Sequence, residues 1–211
     1  MADAAGDEPG TTAQAEAWVG QALAFRDPFE AVALAGDEHR IEHGCNVYAS
    51  TPGHLLGALA AATGARRILE IGGGFGYGAL WLAHGAGRGA RIDVIEDDPG
   101  HAAVIEGHAR RYDRADEITV HVGRDAEVLP TLAGPYDLIV YDADVPGPGH
   151  IPQFERLARR GGTLSISNLF LRRYAPDHPH LADGAAFRSA MLDSPNWLCA
   201  FANLKLVAVR R

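Results

Sequence analysis

The chain has 211 residues, of which 47% are hydrophobic and 22% charged, with a formal net charge of −8. That is enough for one sizeable core, and a single domain is expected. The arginine pairs (Arg66-Arg67, Arg110-Arg111, Arg159-Arg160, Arg172-Arg173) are dispersed and form no basic stripe, which argues against a nucleic-acid partner. No apolar run approaches the roughly 20 residues of a membrane span, which argues against a membrane partner. Cys45 and Cys199 stand far apart in no metal-ligand spacing, which suits free thiols in a cytoplasmic protein.

Residues 1–13 are small, polar and acidic, without the basic and apolar regions of a secretory signal, and are expected to form a disordered tail. Residues 14–211 read as one domain, with N-terminal helices over 14–63 and an α/β core over 64–211. Amphipathic segments run from about Gln14 to Phe25 and from Pro28 to His43, separated at Asp27-Pro28, and a third helix begins near Pro52. A regular beat then sets in. Strands are predicted at Arg67–Ile71, Ile92–Ile95, Ile118–Val122, Tyr136–Tyr141 and Thr163–Ser167. Helices are predicted near Gly78–His84, Pro99–Arg111, Ala126–Leu132, Ile151–Arg159 and Ala182–Leu192. The runs Trp197–Ala202 and Leu204–Val209, joined at Asn203, read as a closing antiparallel hairpin. Alternating strands and helices imply right-handed crossovers, hence a doubly wound, mostly parallel sheet of about seven strands.

In such a sheet, ligands bind beyond the carboxyl ends of the strands. All five of those strand ends carry suitable groups: Glu70 with Gly72-Gly73-Gly74-Phe75-Gly76, then Glu96-Asp97-Asp98, Gly123-Arg124-Asp125, Asp142 with Asp144, and Ser167-Asn168. Each alone could be a cap or a turn residue; their concurrence on one edge points to a binding site. A strand, a glycine turn and a helix set backbone N–H groups and a positive dipole end against a nucleotide-like ligand. Glu96, 26 residues beyond Glu70, is placed to accept hydrogen bonds from ribose hydroxyls.

The spacing Glu70-Ile71-Gly72-Gly73-Gly74-Phe75-Gly76 fits the E-x-G-x-G-x-G pattern of class I methyltransferases better than the G-x-G-x-x-G of NAD enzymes. There the acidic residue can meet the amino group of the methionine part of S-adenosylmethionine. From GARRILEIGGGFGYGALWLA through RIDVIEDD, GRDAEVLP, YDLIVYDAD, GGTLSISN and the SPNW…LKLVAVRR ending, the chain resembles the bacterial catechol and caffeoyl-CoA O-methyltransferases over about residues 17–211. The resemblance implies a cofactor site on Glu70, Gly72, Gly73, Gly74, Gly76, Tyr77, Gly78, Glu96, Asp125, Ala126 and Asp142. Within it, Glu96 holds the ribose, Asp125 and Ala126 hold the adenine, and Asp142 corresponds to the first metal-binding aspartate.

Three departures stand out. Gly78 replaces the usual serine, Ser167 replaces the second metal aspartate beside a retained Asn168, and Val145 replaces a lysine. With one carboxylate lost, magnesium binding at Asp142 and Asn168 is expected to be weak or absent. A hydroxyl acceptor must then lose its proton to a base or ionise readily. Asp142 and His150 are the catalytic candidates, with His43 and His54 behind them. The expected activity is O-methylation of a small hydroxylated molecule. The alternatives are a same-family enzyme acting on an amine or RNA base, and a cofactor-binding protein without transfer activity. The apolar faces of the N-terminal helices (Trp18, Leu23, Phe25, Phe29, Val32, Leu34) suggest cover for the acceptor site and a homodimer, which the resemblance also implies.

Overall fold

The structure, a computed structural model, describes residues 26–48, 53–169, 177–202 and 205–211. The tail, the expected helix over 14–25, Pro52 and the turn at Asn203 lie outside the described residues. The strands are β1 (Arg67–Ile71), β2 (Arg91–Glu96), β3 (Ile118–Val122), β4 (Tyr136–Tyr141), β5 (Ala158–Ile166), β6 (Trp197–Ala202) and β7 (Lys205–Arg210). The helices are α1 (Glu30–His43), α2 (Gly53–Ala62), α3 (Tyr77–Ala86), α4 (Pro99–Arg111), α5 (Asp125–Val128), α6 (Ile151–Leu157) and α7 (Leu181–Asp193).

The strands form one sheet in the order β3-β2-β1-β4-β5-β7-β6. The first five are parallel, and β7 enters antiparallel between β5 and β6. Both faces of the sheet are covered, so the near-continuous apolar runs divide with period two between two cores. Ile68, Val94, Leu138 and Val140 face Phe29, Val32, Leu56, Trp81 and Ile105. Leu69, Ile71, Ile95, Ile139 and Tyr141 face Leu129, Phe154, Phe187 and Met191. A slip of one residue would exchange these sets, which fixes the register and with it the level at which every strand ends.

Two boundaries differ from the sequence expectation. The helix expected to reach Arg159 stops at Leu157, and β5 begins at Ala158, not Thr163. Ala158 pairs with Tyr136, the register shifts before Leu138↔Thr163, Gly161 takes φ 73°, and the Arg159 guanidinium reaches Asp137 at 2.6 Å. The helix expected over 126–132 divides into α5 and a 3-10 turn at Leu129–Thr131, because Pro130 has no amide hydrogen to continue the ladder.

Helices α2 and α3 cross at glycines. A Cβ on Gly85 would lie 1.9 Å from the Gly57 carbonyl oxygen, so the crossing tolerates no side chain there. Gly107, inside α4, has nothing within 4 Å of such a Cβ. Gly85→Ala should therefore lower stability by about 1–3 kcal/mol through overpacking. Gly107→Ala should raise it by about 0.5–1 kcal/mol by reducing unfolded-state entropy. Urea midpoints shifting in opposite directions would bear this out, and equal shifts would sink it.

Candidate active site

The strand order reverses between β1 and β4, and there the chain leaves a crevice, the usual binding place in a doubly wound sheet. The Asp142 N–H donates to Ile71 O at 2.8 Å, tying the β4 end to β1, and the Gly72 N–H donates to Ile95 O at 3.0 Å, tying the β1 end to β2. Gly72 has φ +89°, and a Cβ on it would lie 2.7 Å from the Ala143 nitrogen. Only glycine fits both constraints. The resulting open cleft lies between the β1 and β4 ends, the start of α3, and Val32, Ala33, Gly36 and Val47 from the N-terminal segment.

Glu70 lies on the floor of this cleft, buried, and among the described residues its Oε2 atom has no hydrogen-bond partner. Burial, then the charges of Asp142 and Glu96, push its carboxyl well above the usual range. A buried carboxylate without a donor is costly in an empty site and well matched to a cationic ligand. Gly78 belongs to the same arrangement. A Cβ there would meet Glu70 Oε1 at 2.0 Å, so the serine that the family pattern carries has no room unless Glu70 turns away.

Glu96 ends β2, where its Oε2 accepts from the Gly74 N–H at 2.8 Å and its Oε1 from the Asp98 N–H at 3.2 Å. Burial raises its carboxyl despite these bonds. Its carboxylate keeps lone pairs for further donors. Gly73 is hemmed in by Val94 and Ile105, and Gly76 takes φ +84° at the start of α3. Tyr77 lines the cleft and its hydroxyl donates to Asp27; burial, then that bond, pushes it up to about 12.

Asp125 heads α5 and accepts from the Tyr141 hydroxyl at 3.0 Å and from His150 Nε2, also at 3.0 Å. The His150 bond holds its carboxyl below the usual range. The Ala126 N–H donates to Asp125 Oδ1 at 2.7 Å. His150 is not among the residues lining the cleft. Its Nε2 is committed to Asp125, its Nδ1 lies 3.1 Å from the Gly147 backbone, and its ring stacks on Phe154. Burial would lower its pKa, yet Asp125 more than offsets this and the net shift is upward. A ring held this way locks the loop after β4 and is poorly placed to take an acceptor's proton. His43 is exposed beside Glu42 and His54 packs on Trp81; neither lines the cleft.

At the metal-type positions, the Asn168 amide donates to Ala143 O at 2.6 Å and Ser167 is buried. The Ser167 hydroxyl accepts from Lys205 Nζ at 2.7 Å. A cationic side chain thus stands where the pattern puts a second carboxylate, and this donor set does not fit a hard divalent ion. Asp144 turns outward to His178 (3.2 Å) and His180 (3.7 Å). Val145 is buried against Gly184 of α7. Sequence reasoning passed over Lys205. The available signal was its solitude: it is the sole lysine in a chain whose other basic side chains are all arginine or histidine.

A family model described as O-methyltransferase matches residues 41–175. The catechol O-methyltransferase of Mycobacterium tuberculosis (strain ATCC 25618 / H37Rv) is 38% identical over 156 residues, covering 73% of this chain and 70% of that protein. The crystal structure of cofactor-bound Rv0187 from MTB superposes with a TM-score of 0.76 at 31% identity, covering 97% of this chain and 99% of the other. That of TomG from Streptomyces achromogenes, an O-methyltransferase involved in tomaymycin synthesis and solved in complex with SAM, has a TM-score of 0.76 at 26% identity. It covers 93% of this chain and 96% of the other.

The unpartnered carboxyl of Glu70 has a measurable consequence in the ligand-free protein. Its pKa is raised on folding, so the native state holds the proton more tightly than the unfolded chain. Its contribution is fully present below the ordinary carboxylate range and is lost as pH rises through the raised value. Relative to Glu70→Gln, the unaltered protein should lose stability progressively from pH 4 upward. Parallel stability–pH curves for the two proteins, from denaturant melts, would refute the assignment.

Proposed function

We propose a catechol-like phenol as the methyl acceptor of this chain, which belongs to the S-adenosylmethionine-dependent O-methyltransferase family and moves a methyl group onto a hydroxyl of a small molecule. The observation that carries the reading is the buried, unpartnered Glu70 carboxylate at the switch point, with Glu96 and Asp142 beside it. S-adenosylmethionine, when bound, supplies an electrophilic methyl on a sulfonium and a primary ammonium. Glu70 would hold the ammonium, and Glu96 the ribose hydroxyls. The backbone of Gly72, Gly73, Gly74 and Gly76 would let the cofactor approach closely, with Tyr77 and Gly78 beside them. Asp125 and Ala126 would border the adenine, with His150 keeping Asp125 in place.

Transfer forms an acceptor O–C bond, breaks the S–C bond and releases the hydroxyl proton to solvent. In this reading Lys205 supplies the positive charge that favours the acceptor oxyanion, and Asp142 accepts a hydrogen bond from the neighbouring hydroxyl. The compact ammonium of lysine suits a small anionic oxygen better than a broad guanidinium would. Asp142 and Asn168 are then not metal ligands, and no step passes through magnesium.

The test is turnover of S-adenosylmethionine with a catechol panel. Activity should survive EDTA, and Lys205→Met should lower kcat by roughly a hundredfold with the KM for cofactor unchanged, the scale for losing one oxyanion-stabilising donor. Activity that vanishes with EDTA and returns with magnesium would overturn the metal-free mechanism.

The same reading includes a homodimer. Leu34 and Ile41, seven residues apart on α1, are 55% and 74% exposed, a pair of apolar side chains two turns apart on one helix. Light scattering at micromolar concentration should give twice the chain mass, and Leu34→Glu with Ile41→Glu should return it to one. A monomeric unaltered protein would remove the dimer.

A further inference from the structure

Outside the methyl-transfer machinery, two histidines and a cysteine from three separate places in the chain converge. His39 lies on α1, Cys45 in the segment after it, and His101 in the first turn of α4. One ligand-capable atom from each lies within 4.8 Å of the others, and all three residues are partly buried. The Nε2 atoms of His39 and His101 are 3.2 Å apart. For metal–nitrogen bonds of about 2.05 Å, that 3.2 Å separation corresponds to a nitrogen–metal–nitrogen angle of about 103°, close to tetrahedral. Phe75 packs on both rings, with centroids 4.9 and 5.4 Å away, and limits their rotation.

The surroundings of His101 add a second, independent feature. Its Nδ1 lies 3.4 Å from Glu96 Oε1, so the ring has a carboxylate behind it and its Nε2 directed at His39. A carboxylate orienting a histidine whose other nitrogen faces a metal is the usual outer layer of zinc sites. Asp98 fixes the backbone beneath, accepting from the His101 N–H at 2.9 Å.

We propose that His39, Cys45 and His101 form a zinc site that fastens α1 to the first turn of α4 beside the cofactor cleft. Two imidazoles and a thiolate favour zinc over magnesium, and three protein ligands leave a fourth position for water. Because α1 supplies Val32, Ala33 and Gly36 to the cleft wall, zinc would hold that wall against the strand end that carries Glu96. The site is separate from Asp142, Ser167 and Asn168, and it shares only Glu96, the carboxylate behind His101, with the proposed cofactor contacts.

The experiment is a cobalt(II) titration of the chelator-treated full chain, followed by zinc displacement. One equivalent should bind with the visible spectrum of four-coordinate cobalt and a near-ultraviolet thiolate charge-transfer band. Cys45→Ser should abolish the band, and His39→Ala and His101→Ala should each weaken zinc binding at least tenfold. Cys199→Ser should change neither. A measurement on the unaltered chain guards against misfolded variants: zinc should slow alkylation of Cys45, mapped by mass spectrometry, and leave Cys199 unaffected. Six-coordinate cobalt spectra without the charge-transfer band, or no zinc protection of Cys45, would overturn the site.

Discussion

The Glu70 carboxylate lies out of water with one oxygen that no described residue hydrogen-bonds, while Asp142 and Glu96 repel its charge. Such a group destabilises a protein unless a ligand cation completes it, and the structure around it is arranged to keep it there. The register of β1 against β2 and β4 sets the depth at which Glu70 leaves the sheet. Gly72 lets the β1 and β4 ends approach within backbone contact, and Gly78 leaves room for the carboxyl at the start of α3. The same constraint leaves a buried carboxyl oxygen free to accept from a cationic donor.

Charge is distributed differently on the acceptor side. The family pattern concentrates carboxylates there for a divalent ion, whereas this chain removes one and brings an ammonium from β7 to the hydroxyl left in its place. These two changes belong together. Ser167 offers a neutral hydroxyl in place of a carboxylate, and Lys205 Nζ donates to it at 2.7 Å. The antiparallel insertion of β7 next to β5 makes the exchange possible, because it sets Lys205 level with the carboxyl end of β5.

The loop after β4 shows how a residue suited to catalysis can serve structure. His150 joins Asp125, Tyr141 and Phe154 in one network, tying the end of β4 to the start of α5. Val145, at the position of the family's lysine, closes the loop on α7 by packing against Gly184. A buried valine there and a bonded histidine nearby fix the loop that follows Asp142.

The amino-acid sequence alone determined the alternation of strands and helices, the sheet, and the polar residues gathered at its carboxyl edge. Those signals are local: apolar runs of strand length, a glycine-rich turn, and acidic residues at or near strand ends. It also showed the lost aspartate at Ser167, a matter of residue type at a fixed spacing. Only the tertiary structure decided what replaces it, since Lys205 and Ser167 lie 38 residues apart and meet through a strand insertion that no local pattern encodes. Cys45 stands in no ligand spacing along the chain, and folding alone brings it to His39 and His101, which are themselves 62 residues apart. His150 reads as an available base in sequence because its surroundings are invisible there; in the fold its Nε2 is bonded to the Asp125 carboxylate and its ring stacks on Phe154. Periodicity records how a residue relates to its chain neighbours, whereas a charge or a ligand atom acts on whatever the packed core sets within a few ångströms of it.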